Sequence, residues 1–286
     1  MSEATNERRR KLSSRDVALR KGGEPLVMLS LHDAVMARHA EAVGVDMILV
    51  GDSVGTVMLG MESTTPVTLE MIEHHASAVR RGAPKTHVVA DLTFGSYQVS
   101  NEQAIESASR LIKFAHADAV KLEGGAEMVE RIAAITRAGI PVMGHIGLLP
   151  QTAQITGGYR VQGRDITTAK RLIEDAKAVE AAGAYGVVIE LVPEELAARI
   201  TTEIGIPTIG IGAGAGCDGQ VLVASDLLGN DETFQPRFLK KYANISEIIR
   251  TAFREYASDV RGHAYPGREH VTHLPDETLD ALKQAE

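Results

Sequence analysis

"DAVKLEGG", Asp118–Gly125, reads as a short buried strand that finishes on two charges of opposite sign and a pair of glycines. Side chains alternate faces along a strand, so Lys121 and Glu123, two positions apart, point the same way, with apolar Ala119 before them. A strand apolar on both faces belongs to a parallel sheet covered by helices. Charges confined to the last turn of one face mark the end where such a sheet opens onto a site.

Seven other runs carry the same signature: "PLVMLS", "VDMILVGD", "THVVAD", "IPVMGH", "YGVVIE", "IPTIGIG" and "QVLVASD". Segments of helical length such as "LEMIEHHASAVRRG", "NEQAIESASRLIKFAHA" and "AKRLIEDAKAVEAAGA" lie between most of them. Gly44, Gly82, Gly139, Gly183 and Gly205 stand just before strands, where a helix C-terminus favours a left-handed residue. Eight strands alternating with helices predict a single closed (β/α)₈ TIM barrel in preference to an open doubly wound sheet. The seventh and eighth runs are too close together for a full helix between them. Residues 1–24 are read as a polar N-terminal tail and helix, and residues 25–262 as the barrel with a final amphipathic helix, "ISEIIRTAFREYASDVRG". Residues 263–286 are read as a polar, partly ordered C-terminal tail.

The chain has 286 residues, 44% of them hydrophobic, and a net charge of -8, which argues against nucleic acid or an acidic membrane as partner. The basic run Arg8–Lys11 is read as a solvated tail. Cys217 is the single cysteine, so neither an intrachain disulfide nor a cysteine zinc site can form. No apolar run reaches membrane-spanning length and Met1–Lys11 lacks a signal-like segment, so a cytoplasmic protein is expected.

In a barrel of this kind chemistry gathers at the C-terminal strand ends, where the βα loops converge. The second run ends at Asp52, the third at Asp91, the fourth at Lys121 and Glu123, the fifth at His145 and the sixth at Glu190. Counting back by twos, Val50, Val89, Ala119, Met143 and Val188 share their faces, so each charge is expected to continue an apolar column into the barrel. Each residue also has a plainer role: Asp52 as a helix cap, Asp91 and Glu190 as solvated acids, Lys121 and Glu123 as an exposed ion pair, His145 as a core histidine. Their coincidence at one end weighs against those roles. Four carboxylates facing one small space repel one another unless a cation or protons relieve them.

Carboxylates without thiolates, and with at most one imidazole nearby, suit Mg²⁺. Such an ion with open positions can chelate a 2-oxo acid through its keto and carboxylate oxygens and acidify the neighbouring C–H. Lys121 would balance the substrate's negative charge. Glu190, isolated among Val and Ile, is the expected base, its pKa raised by burial, and a metal-held enolate is the expected product of proton removal. "GAGCDG", Gly214–Gly219, fits the spacing of the dinucleotide fingerprint, but the run after it reads as a strand where a helix is required. "GGYRVQGR", Gly157–Arg164, is either a lid or an ordinary surface loop.

Several longer stretches occur together and in order: "VGDSVG", "STTPVTLEMI", "AVRRGAP", "VVADLTFGSYQ", "VKLEGG", "GIPVMGHIGLLPQ", "GGYRVQGR", "IPTIGIGAG" and "CDGQVLV". From Lys21 to the "YPGREH" near the C-terminus the chain resembles the ketopantoate hydroxymethyltransferase family. The resemblance implies a Mg²⁺-dependent barrel of the phosphoenolpyruvate/pyruvate superfamily, assembled as a homo-oligomer, typically a decamer. It implies transfer of a hydroxymethyl group from 5,10-methylenetetrahydrofolate, a folate co-substrate, to 3-methyl-2-oxobutanoate, giving 2-dehydropantoate for pantothenate biosynthesis. By motif, Asp52 and Asp91 would bind Mg²⁺, with Glu123 completing the set directly or through water. Asp52, Ser53, Asp91 and Lys121 would contact the oxo acid, Glu190 would accept the proton, and His145 and His32 are candidate pocket residues. The chain departs from the family's usual pattern at His32 (tyrosine), Thr93 (proline), Leu149 (threonine) and Leu191 (cysteine). These changes alter pocket walls and keep open an alternative, a paralogue acting on another 2-oxo acid as a metal-dependent aldolase or lyase of the same superfamily.

Overall fold

The computed structural model describes residues 10–153, 157–232 and 235–285. Eight parallel strands follow one another around a closed barrel in sequence order. They are β1 (Leu26–Ser30), β2 (Met47–Val50), β3 (His87–Asp91), β4 (Ala119–Lys121), β5 (Val142–Gly147), β6 (Gly186–Glu190), β7 (Thr208–Ile211) and β8 (Gly219–Val223). The seam closes where β1 pairs with β8, from Leu26 against Gly219 to Ser30 against Val223. Helices α1 (Ser14–Ala18), α2 (Ala34–Ala42), α3 (Val54–Val57), α4 (Leu69–Gly82), α5 (Asn101–Phe114), α6 (Val129–Arg137), α7 (Ile166–Ala181), α8 (Glu194–Glu203) and α9 (Ala224–Leu227) accompany the strands. Beyond them lie α10 (Ile245–Arg261) and α11 (Asp276–Lys283). The close spacing of β7 and β8 is met by a loop, and "GAGCDG" runs into strand β8.

Helix starts are set by side-chain caps. The side chain of Thr68 accepts from the Met71 N–H, that of Ser100 from the Gln103 N–H, and Asp165 forms a capping box with Thr168. The buried stripes of α4 (Ile72, Ala76, Val79) and α5 (Ala104, Ala108, Leu111) pack on the outward strand residues Val88, Ala90 and Val120. Inside the barrel Met28, Met47, Leu49, Val89, Ala119, Met143, Val188, Ile209 and Val221 form a second core. Val17 of α1, fully buried, joins that core and stoppers its N-terminal end, a contact that contributes about 1.5–3 kcal/mol.

Several expectations need correction. Val50 packs with the helix-facing layer, not the interior. Strand β2 alternates Met47 and Leu49 inward, so Gly51 holds the inward position and Asp52 reaches the site by the turn that follows. Gly44, Gly139 and Gly183 are left-handed as predicted, whereas Gly82 is the last residue of α4. A Cβ at Gly82 would lie 2.2 Å from the Ala34 carbonyl oxygen, so close packing of α4 on α2 requires glycine there. The C-terminal region forms α11, although its side chains are exposed. Of the basic run, Arg8 and Arg9 lie outside the described residues, and Lys11 is not merely solvated, since its Nζ meets Asp118 Oδ1 at 2.5 Å.

Asp118 ties the base of β4 to its surroundings. It accepts hydrogen bonds from Lys11, from Arg80 and, at 2.9 Å, from the Val88 N–H. Burial would raise its pKa, but these donors outweigh burial and lower it. Because the folded pKa lies below the unfolded one, the stabilisation is present above about pH 3.9 and lost as pH falls through the depressed folded value. Asp118→Asn is therefore expected to lower stability by about 1–3 kcal/mol at pH 7 and to flatten the acid limb of urea-unfolding midpoints plotted against pH. An unchanged acid limb would remove Asp118 from this role. Among the described residues no helix is long and apolar enough to cross a membrane.

Candidate active site

The strand register brings four of the predicted columns to the C-terminal mouth. Asp91 follows Val89, Lys121 and then Glu123 follow Ala119, His145 follows Met143, and Glu190 follows Val188, each apolar residue lying in the interior core. Asp52 arrives through Gly51. There an added Cβ would stand 3.3 Å from Asp91 Oδ2 and 3.2 Å from Ser53 Oγ, so the missing side chain lets β2 and β3 close together. The Asp52 N–H donates to Asp91 Oδ2 at 3.1 Å. Asp52, Asp91, Lys121, Glu123 and His145 are all buried, and all line the cavity together with Ser53 and Glu190.

The charges are arranged in a chain. Lys121 Nζ lies 3.0 Å from Asp91 Oδ1 and 3.3 Å from His145 Nδ1. His145 Nδ1 lies 3.5 Å from Glu123 Oε1, and Nε2 lies 3.2 Å from Glu190 Oε2. Burial and Lys121 disfavour a charged imidazole, yet Glu123 and Glu190 prevail and push the His145 pKa up to about 9. Burial, opposed by the carboxylates of Asp91, Glu123 and Asp52, leaves Lys121 above its ordinary value and therefore cationic. Asp52 is raised well above the usual carboxylate range by burial, then by Asp91 and Glu123. Burial likewise raises Asp91, against the pull of Lys121. Glu190 is less enclosed than expected, its side chain 17% exposed at the mouth.

This chamber suits a hard divalent ion on charge. Four acids face two cations, Lys121 and His145, which leaves two negative charges for a cation or protons to offset. Asp91 Oδ1 is paired with the Lys121 ammonium at 3.0 Å, in a contact that is not well aligned as a hydrogen bond. Among the described residues, however, no three Asp, Glu, His or Cys side chains form a ready-made metal cage. The donor set therefore fits Mg²⁺ that keeps much of its water, held by one or two carboxylates, rather than an ion gripped by three acids at once.

Ser53 sits at the start of α3, its Oγ 3.4 Å from Ser30 Oγ and 3.4 Å from His32 Nε2. His32 does not line the cavity and instead backs the turn, its Nε2 3.2 Å from the Gly51 carbonyl. Burial and then neighbouring His75 lower its pKa to about 4, so the ring is neutral. The "GGYRVQGR" loop borders the cavity through Tyr159 and Val161, and the Gln162 N–H bonds the Leu191 carbonyl at 2.8 Å. Leu191, directly after Glu190, is left-handed at φ 46°, a strain of about 1–3 kcal/mol placed beside the candidate base. Two buried residues escaped the sequence reading, Tyr97 and Gln151. They carry no charge, and only their places in "GSYQ" and "GLLPQ" marked them.

The cavity measures about 1430 Å³, beyond the few hundred to 1000 Å³ typical of a site for one small molecule. A closed parallel barrel with its ionisable groups buried at the C-terminal mouth defines a (β/α)₈ enzyme. Solved barrels share the architecture: phosphoenolpyruvate phosphomutase from Streptomyces platensis subsp. rosaceus at TM-score 0.59, with 16% identity and 96% of each chain covered. A 2,3-dimethylmalate lyase described as a PEP mutase/isocitrate lyase superfamily member matches at TM-score 0.56, with 16% identity over 96% of this chain and 99% of the other. The profile of the ketopantoate hydroxymethyltransferase family matches residues 12–268. The 3-methyl-2-oxobutanoate hydroxymethyltransferase of Syntrophus aciditrophicus (strain SB) is 51% identical, with 93% of this chain and 98% of that one covered. The enzyme of the same name from Enterococcus faecalis (strain ATCC 700802 / V583) is 52% identical, with 91% and 94% covered. The chain belongs to the ketopantoate hydroxymethyltransferase family and is an enzyme of the transferase class.

Proposed function

We propose that the chain transfers a hydroxymethyl group from 5,10-methylenetetrahydrofolate to 3-methyl-2-oxobutanoate, giving 2-dehydropantoate for pantothenate biosynthesis in the cytoplasm. The observation that carries the reading is Glu190 across the mouth from the buried Asp52–Asp91–Lys121–Glu123 cluster, with His145 bridging the two sides. One side of the chamber binds an anionic oxo acid and the other removes its proton.

Asp52 and Asp91 would hold Mg²⁺, with Glu123 acting through water, and the ion when bound would supply Lewis-acid polarisation of the keto group. Lys121 and the Ser53 hydroxyl orient the substrate's oxygens. Glu190 takes the C3 proton, and the imidazolium of His145, 3.2 Å away, fixes the carboxylate that receives it. Water adds to the folate's methylene carbon, both of its C–N bonds break with their nitrogens taking up protons, and tetrahydrofolate and a one-carbon aldehyde are released. The C3 electron pair then adds to the aldehyde carbon, and its oxygen takes a proton to become the hydroxyl. The large cavity has room for the small acid and a folate together. The expected self-association is supported by exposed Ile248, Phe253 and Tyr256 on α10, and light scattering after gel filtration would measure it.

The test is a coupled assay with both substrates across a Mg²⁺ titration, together with calorimetric titration of 2-oxo acids with and without Mg²⁺. Formation of 2-dehydropantoate is expected, with oxo-acid binding strengthened by the ion. No product at any Mg²⁺ concentration would overturn the reading. Deuterium exchange at C3 without folate-dependent product would favour the aldolase or lyase alternative, as the changes at Thr93 and Leu191 allow.

A further inference from the structure

The 3₁₀ turn Pro150–Thr152 follows β5 and carries Gln151 back across the mouth toward β2, β3 and β4. Gln151 is buried, 4% exposed, and hydrogen-bonds to four residues from three segments, those that follow β2, β3 and β4. Its side-chain Nε2 donates to Asp52 Oδ2 at 2.9 Å and to the Leu92 carbonyl at 2.9 Å. Its backbone N–H donates to Glu123 Oε2 at 3.0 Å. Its Oε1 accepts from the Tyr97 hydroxyl at 2.8 Å. Tyr97, also buried, receives the Glu123 N–H at 3.3 Å.

These partners fix the amide in one orientation. An amide has two N–H donors on one side and a carbonyl on the other. Turning it over would set Oε1 against the Asp52 carboxylate and the Leu92 carbonyl, and would push the Tyr97 hydroxyl proton from Oε1 onto the Glu123 carbonyl, 3.1 Å away. The same residue thus holds one oxygen of Asp52 and one of Glu123, which follow β2 and β4, two strands that do not pair with each other. Oδ1 of Asp52 takes no hydrogen bond among the described residues, and Oε1 of Glu123 is the oxygen turned to His145.

We infer that Gln151 is a positioning residue that, braced by Tyr97, sets the orientation of Asp52 and Glu123 and so determines which carboxylate oxygens face a divalent cation. The inference rests on the proposed metal role of those acids. Outer partners of this sort typically change metal affinity or activity 10–100-fold when removed. A neutral donor suits the position, because it can hold two like-charged groups without adding a charge to the chamber.

Gln151→Met keeps the side-chain volume and removes both donors. Calorimetric titration with Mg²⁺, and Mn²⁺ binding followed by electron paramagnetic resonance, should show affinity reduced about 10–100-fold. In steady-state assays kcat at fixed low Mg²⁺ should fall, partly restored by excess Mg²⁺, while KM for the folate stays unchanged. A side chain that only fills space would move none of these. Tyr97→Phe, which removes a single hydroxyl, should lower Mg²⁺ affinity by a smaller factor and guards against a first variant that fails to fold. Asp52→Asn is titrated alongside. Loss of binding in Asp52→Asn with wild-type affinity in both other variants would overturn the Gln151 inference alone. Wild-type affinity in Asp52→Asn would overturn the metal reading and this inference with it.

Discussion

Glu190→Gln should abolish exchange of the C3 proton of 3-methyl-2-oxobutanoate with solvent deuterium while leaving binding of the acid nearly intact. A positioned general base contributes about 10²–10⁴-fold, and the amide cannot accept the proton. The substitution is nearly isosteric, and the wild-type side chain is partly exposed at the mouth, so little stability is at stake. His145 keeps Glu123 as a partner when Glu190 loses its charge, which preserves the side of the chamber proposed to hold the oxo acid. Calorimetry of oxo-acid binding and proton NMR of exchange, run on one preparation, separate the two functions. Exchange at the wild-type rate would remove Glu190 from its role.

Lys121→Met should cost both stability and substrate binding. Lys121 is buried and stands 3.0 Å from Asp91, which is itself buried beside Asp52 and near Glu123. Removing one partner of a buried ion pair leaves an uncompensated charge and costs about 3–5 kcal/mol. For a domain of this size Tm should fall by roughly 10 °C without Mg²⁺. Added Mg²⁺ should restore part of that loss, because a divalent cation can take over neutralisation of Asp91. The double variant Lys121→Met/Asp91→Asn should recover stability without recovering activity, since its neutral amide needs no cation. A single variant as stable as the parent at every Mg²⁺ concentration would contradict the arrangement.

The barrel and its charged rim were legible in sequence because both rest on the simplest periodicity in proteins. Two-residue alternation carried Asp91, Lys121, Glu123, His145 and Glu190 to the correct face of their strands. The same rule failed for Asp52, since β2 ends at Val50 and the chain turns before Asp52 is reached. His32 was near the site in sequence pattern but lies behind the Gly51–Ser53 turn, a distinction that depends on how the loop folds. Gln151 and Tyr97 gave no signal through charge or period. Their importance comes from hydrogen bonds between segments 26 to 99 residues apart, which local sequence does not encode.

Among the described residues Val17 and α1 close the floor of the barrel, which leaves the C-terminal mouth as the way to the acids. The buried acids line the same cavity as exposed Tyr159 and Val161 at its rim. A bulky donor held at that rim would bar a small ketoacid from the buried acids. On the proposed function, the ketoacid is therefore expected to load before the folate and the spent folate to leave before the product. Access to such a seat would be decided by which reactant reaches the mouth first.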